Sequence, residues 1–109
     1  MERICSTSDI AKGSMKGFTV NNRQILVANV DGNFYAMDAV CSHMQGYLPD
    51  GKLEKNVVIC PVHHARYDVT TGKVVKNISG LFKLATGKSA SDLHTFSVTI
   101  QEGSIYVDV

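Results

Sequence analysis

The stretch CSHMQGYLPDGKLEKNVVICPVH, residues 41–63, carries the same chemistry at both ends. Cys41-Ser42-His43 opens it and Cys60-Pro61-Val62-His63 closes it, with sixteen residues between His43 and Cys60. Each segment offers one thiolate and one imidazole, donor types that iron and zinc both accept. Three of the four histidines of the chain fall in these two segments or directly beside them: His43, His63 and the adjoining His64. A single cysteine is most often a small buried hydrophobe, and a single histidine most often a surface or hydrogen-bonding residue. Four such residues paired within 23 positions call for a metal centre instead. A structural zinc finger usually presents a cysteine pair followed by a histidine pair. Here each half is mixed; a tetrahedral zinc site could use the four groups, in an order unusual for a finger.

Outward from this stretch the sequence reads as strands and turns. Val57-Val58-Ile59 is a short β-branched run leading directly into Cys60. Gln24 to Val30 is mostly apolar, Asp31-Gly32 signals a tight turn, and Asn33 to Met37 resumes as a strand, giving a hairpin. Met15 to Val20 is a further strand ahead of an Asn21-Asn22 turn. Phe96, Val98 and Ile100 alternate with Thr95, Ser97 and Thr99, as a strand with one buried face would. Ile105, Val107 and Val109 alternate again after Glu102-Gly103, predicting a terminal hairpin. A short N-terminal strand holds Cys5 as a core thiol. One helical turn is expected at Ile10-Ala11-Lys12, capped by Ser8 or Asp9. Lys83 to Leu93, with Gly87 and two serines, reads as a loop with room for one helical turn. The fold class is all-β, a small antiparallel sandwich or barrel.

The chain has 109 residues, 44% of them hydrophobic, and a formal net charge of +1. That size fits one domain spanning residues 1–109. A bound cofactor would add stability to so small a core. No basic stripe points to nucleic acid. Neither the opening Met1 to Thr7 nor any later run has the apolar length of a signal peptide or a membrane span. The expectation is a soluble cytoplasmic protein. Three cysteines, Cys5, Cys41 and Cys60, are an odd count that argues against a disulfide framework and for metal chemistry.

The pattern C-x-H, sixteen residues, C-P-x-H resembles the Rieske iron–sulfur family. Gly46-Tyr47-Leu48, Asp50-Gly51-Lys52-Leu53, Tyr67-Asp68, Thr71-Gly72 and the closing Glu102 to Val107 resemble its soluble ferredoxin branch. The resemblance implies a Rieske-like antiparallel fold with a cluster-binding subdomain of two loops, about residues 40–70. It implies one [2Fe–2S] cluster, with Cys41 and Cys60 on one iron and His43 and His63 on the other. Two thiolates and two neutral imidazoles leave the oxidised centre neutral, so an added electron costs less than in an all-cysteine ferredoxin.

The respiratory branch of the family braces its loops with a further cysteine in each. The matching residues here are Gly46 and Val62, so that disulfide cannot form. Its serine near a bridging sulfide is matched by Ala65, while its tyrosine, a donor to a ligand sulfur, is matched by Tyr67. With one donor absent and one kept, the expected potential lies below that of the respiratory branch. Pro61 should stiffen the second loop. Met44 and Leu48 are candidates to cover the cluster, His64 is expected to face solvent, and His94 to be structural.

The function these features imply is a one-electron carrier with no substrate turnover of its own and no catalytic residues. By resemblance it would be a monomer taking electrons from a flavin-dependent NAD(P)H reductase and passing them to an oxygenase or other oxidoreductase. A Rieske subunit of a larger oxidoreductase complex is the alternative within the family. A structural zinc-binding interaction domain is the alternative outside it.

Overall fold

The computed structural model describes residues 1–41, 46–62, 64–76 and 91–109. Its described strands form three antiparallel sheets. The first joins β1 (Glu2–Ser6), β11 (Ser104–Val107) and β10 (Val98–Gln101) in that order. The second joins β2 (Met15–Val20), β3 (Arg23–Val30), β4 (Asn33–Asp38) and β9 (Thr95–Phe96). The third joins β5 (Lys52–Glu54), β6 (Val57–Ile59), β7 (Arg66–Asp68) and β8 (Val74–Lys76). The all-β, antiparallel expectation holds.

The second sheet is apolar on both faces, which explains why β3 does not alternate in sequence. Ile25 and Val27 pack with Cys5, Ala36, Phe96, Ile105 and Val107, in a core shared with the first sheet. Leu26 and Ala28, on the opposite face, pack with Met37, Ala39, Leu48, Val58 and Tyr67 in a core shared with the third. Fully burying one such aliphatic side chain contributes about 1.5–3 kcal/mol, so both faces of β3 anchor the chain.

Tight turns fix the register. Val20 pairs with Arg23, Val30 with Asn33, and Gln101 with Ser104, leaving two residues in each connection. Both residues of each connection have positive φ: Asn21 and Asn22, Asp31 and Gly32, Glu102 and Gly103. That geometry matches the twist of the flanking strands and suits Asn, Asp and Gly.

Two local expectations need correction. The single strand read over Thr95 to Ile100 is two strands: β9 pairs with β4, and β10 with β11. Phe96 is buried in the core between the first two sheets, whereas Ile100 is 46% exposed. A period of two cannot tell one strand from two short ones that change sheets. The helical turn expected at Ile10 is a 3-10 turn at Thr7–Asp9, where the Asp9 carboxylate accepts a hydrogen bond from the backbone N–H of Ser6 at 2.9 Å. Ile10 itself leaves the turn extended and is buried, 2% exposed. Cys5 is buried in β1, as read. Of the loop expected over Lys83 to Leu93, residues 91–93 are irregular, and the rest lies outside the described residues.

Candidate metal centre

Each of the two cysteine segments grows from a paired strand base. In the first, the chain leaving β4 pairs Val40 with Tyr47, and Leu48 N–H donates to the Ala39 carbonyl at 2.8 Å. Above that base, Cys41 N–H donates to the Gly46 carbonyl at 2.7 Å. In the second, Ile59 of β6 pairs with Arg66 of β7, and Cys60 N–H donates to the Ala65 carbonyl at 2.8 Å. Both cysteines therefore open a loop whose closing carbonyl lies five residues on. The second loop is tightened by His64 N–H donating to the Cys60 carbonyl at 3.0 Å. His43 and His63 fall in sequence between these closing bonds and lie outside the described residues, as does Met44.

The two loops meet through the cysteines. Cys41 is 2% exposed and Cys60 fully buried, in one core with Leu48, Val58, Ala65 and Tyr67. A Cβ placed on Gly46 of the first loop would stand 2.7 Å from Cys60 Sγ and 2.8 Å from Val62 Cγ2 of the second. The hydroxyl of Tyr67, from β7, lies 3.0 Å from Cys41 Sγ. Among the described residues none of the three cysteines forms a disulfide.

This setting suits a metal–sulfide group. A thiolate buried among apolar side chains is costly unless a cation binds it. With Cys41 as a thiolate the sulfur can only accept, so Tyr67 donates. Burial pushes the Cys5 thiol up and the Asp9 charge adds to it, so Cys5 stays neutral, away from this site in the other core.

The neighbouring residues take supporting roles. Asp68, next to Tyr67, shapes the turn to β8. Its Oδ1 accepts from Thr70 N at 2.9 Å and from Thr70 Oγ1 at 2.6 Å, and its backbone carbonyl accepts from Gly72 N at 2.6 Å. Burial pushes the Asp68 carboxyl up, but the bonds from Thr70 and Asn56 outweigh it, leaving it below its ordinary value. His64 is exposed, as expected, with φ of 63° in the left-handed region. Pro61 is exposed, and Leu48 is buried beside the cysteines. His94 is structural: its carbonyl accepts from Asp38 N at 3.0 Å, and its ring meets Phe96 edge-on at 4.9 Å. Sequence reading missed the closing carbonyls of Gly46 and Ala65. The signal was the equal spacing, 41 to 46 and 60 to 65, visible only once the strand pairs are known.

Comparison with known proteins gives the family. The family described as Rieske [2Fe-2S] domain matches residues 1–85. The ferredoxin component of biphenyl 2,3-dioxygenase from Rhodococcus jostii (strain RHA1) is 35% identical over 109 residues, covering 100% of this chain and 92% of that protein. Sulredoxin from Sulfurisphaera tokodaii is 36% identical, over 99% of this chain and 97% of its own. A chain in the complex of reduced oxygenase and oxidized ferredoxin in carbazole 1,9a-dioxygenase superposes with a TM-score of 0.82 at 28% identity, covering 98% of this chain and 100% of that one. The chain belongs to the Rieske [2Fe–2S] family, and its cofactor is a Rieske-type [2Fe–2S] cluster. The zinc alternative gives way to it.

Proposed function

We propose that this protein is a one-electron carrier, a Rieske ferredoxin that delivers electrons to an oxygenase. The observation that carries the reading is the buried Cys41 sulfur under the Tyr67 hydroxyl, in a chain of this family that matches a ferredoxin component along its whole length. Cys41 and Cys60 bind one iron, and His43 and His63 the other. The cluster supplies reversible one-electron chemistry. The chain's own residues do the rest: the Gly46 and Ala65 carbonyls hold the cysteine-bearing backbone, apolar neighbours exclude water, and Tyr67 stabilises negative charge on the Cys41 sulfur.

A flavin-dependent NAD(P)H reductase is the upstream donor in this reading. The protein turns over no substrate itself, forms one domain over residues 1–109 with the cluster held by about residues 40–70, and works as a cytoplasmic monomer.

Reconstitution tests this. The loaded protein, added to a reductase and a terminal Rieske-type oxygenase, should be reduced by NAD(P)H and reoxidised only when oxygenase is present. Substrate oxidation by the protein with reductase alone, with no oxygenase present, would contradict it.

A further inference from the structure

Gly17 sits in β2, opposite Leu26 of β3. Along β2, Phe18 and Val20 pack toward the core shared with the first sheet, while Met15 packs toward the core that holds the cysteines. By the period of two, Gly17 shares the face of Met15. Its missing side chain leaves a slot filled by two residues of the segment just after the first cysteine loop. A Cβ on Gly17 would collide with the Tyr47 hydroxyl, and would stand 2.8 Å from Tyr47 Cζ and 2.9 Å from Pro49 Cγ. The φ of Gly17 lies outside the left-handed region, so alanine there meets a steric obstacle and no backbone penalty.

Tyr47 is one bond from the first cysteine loop. It pairs with Val40 at the loop base, and the residue before it, Gly46, gives the carbonyl that accepts Cys41 N–H. Tyr47 is 36% exposed, so protein contacts cover the rest of it. The slot over Gly17 supplies one of those contacts.

We propose that Tyr47 is a positioning residue for the first cysteine loop, seated on Gly17 of β2, and that this seat fixes the backbone carrying Cys41. The proposal rests on the reading of Cys41 as a cluster ligand. Filling the slot or removing the ring would then loosen Cys41 without touching it.

The test uses the loaded protein and the variants Gly17→Ala, Tyr47→Ala, their double, Tyr47→Phe, and Thr19→Ala as a control on the same strand. Three readouts apply: cluster release into an iron chelator, the g values of the reduced protein, and the far-ultraviolet circular dichroism. Gly17→Ala and Tyr47→Ala should each speed release by roughly three- to tenfold and shift the g values, and the double should be no faster than the worse single, since neighbours in one contact do not add. Tyr47→Phe, which removes the hydroxyl over Gly17 but keeps the ring carbon beside it, should fall between the wild type and Tyr47→Ala, while Thr19→Ala should match the wild type. Additive single effects, wild-type behaviour in both alanine singles, or Tyr47→Phe behaving as Tyr47→Ala would overturn the proposal. Equal acceleration by Thr19→Ala, or a loss of β-sheet signal accounting for the faster release, would also overturn it. Failure of the ligand reading shows separately, as an unchanged spectrum in Cys41→Ser.

Discussion

The hydroxyl of Tyr67 lies 3.0 Å from the sulfur of Cys41, and both residues are buried. Tyr67 comes from β7, paired with β6, the strand that leads into Cys60. The second loop's own hairpin therefore places a donor on the first loop's sulfur. In a dry setting such a bond strengthens as the sulfur gains negative charge.

Removing that donor should lower the reduction potential while leaving the cluster in place. Tyr67→Phe deletes only the hydroxyl, and the ring still fills its place in the core. The expected drop is roughly 60 mV, a tenfold change in a one-electron equilibrium. A redox titration of wild type and variant followed by circular dichroism checks it; equal potentials would mean the hydroxyl does not act on the sulfur.

Cys5 separates a structural thiol from the two thiols proposed to hold the cluster. It packs with Ile25, Ile105 and Val107 in the core remote from Cys41 and Cys60. Cys5→Ser should cost about 1–2 kcal/mol through a poorly paired buried hydroxyl, with the cluster spectrum and iron content unchanged. Iron assay and denaturant unfolding give both numbers, and loss of iron from this variant would break the assignment.

Asp68 gives the protein an acid-sensitive turn beside Tyr67. Its folded-state value is lowered, so its contribution is complete above the unfolded value and is lost as pH falls through the folded one. Asp68→Ala should destabilise at neutral pH by about 1 kcal/mol and flatten the decline of stability that sets in as pH falls through and below the ordinary carboxylate value of 3.8. Denaturant midpoints through that fall in pH would show it; a variant with an undiminished acid decline would place the effect elsewhere.

Much of this was legible before the fold was known, for reasons that differ by element. The hairpins at Asn21-Asn22, Asp31-Gly32 and Glu102-Gly103 were readable because positive φ at both turn positions narrows the choice of residue. The pairing of Cys41 with Cys60 was readable because metal donors are few and their spacing is local; His43 and His63 lie outside the described residues. The change of sheets between Phe96 and Val98 was not, since it depends on which strand lies alongside: β4 for the first, β11 for the second. Nor was the third sheet as a unit. Its three-residue strands β5 to β8 are too short to show a period, and their pairing depends on tertiary contact. The seat of Tyr47 on Gly17 joins residues thirty apart, beyond the reach of any local signal.

The ligand set is tested most directly by pulsed electron paramagnetic resonance on the dithionite-reduced protein, produced with nitrogen-15 in its histidines. Binding by Cys41, Cys60, His43 and His63 predicts a rhombic signal with a low average g value and strong coupling to two histidine nitrogens. A reduced cluster without nitrogen coupling, or a protein carrying zinc and no iron, would contradict it.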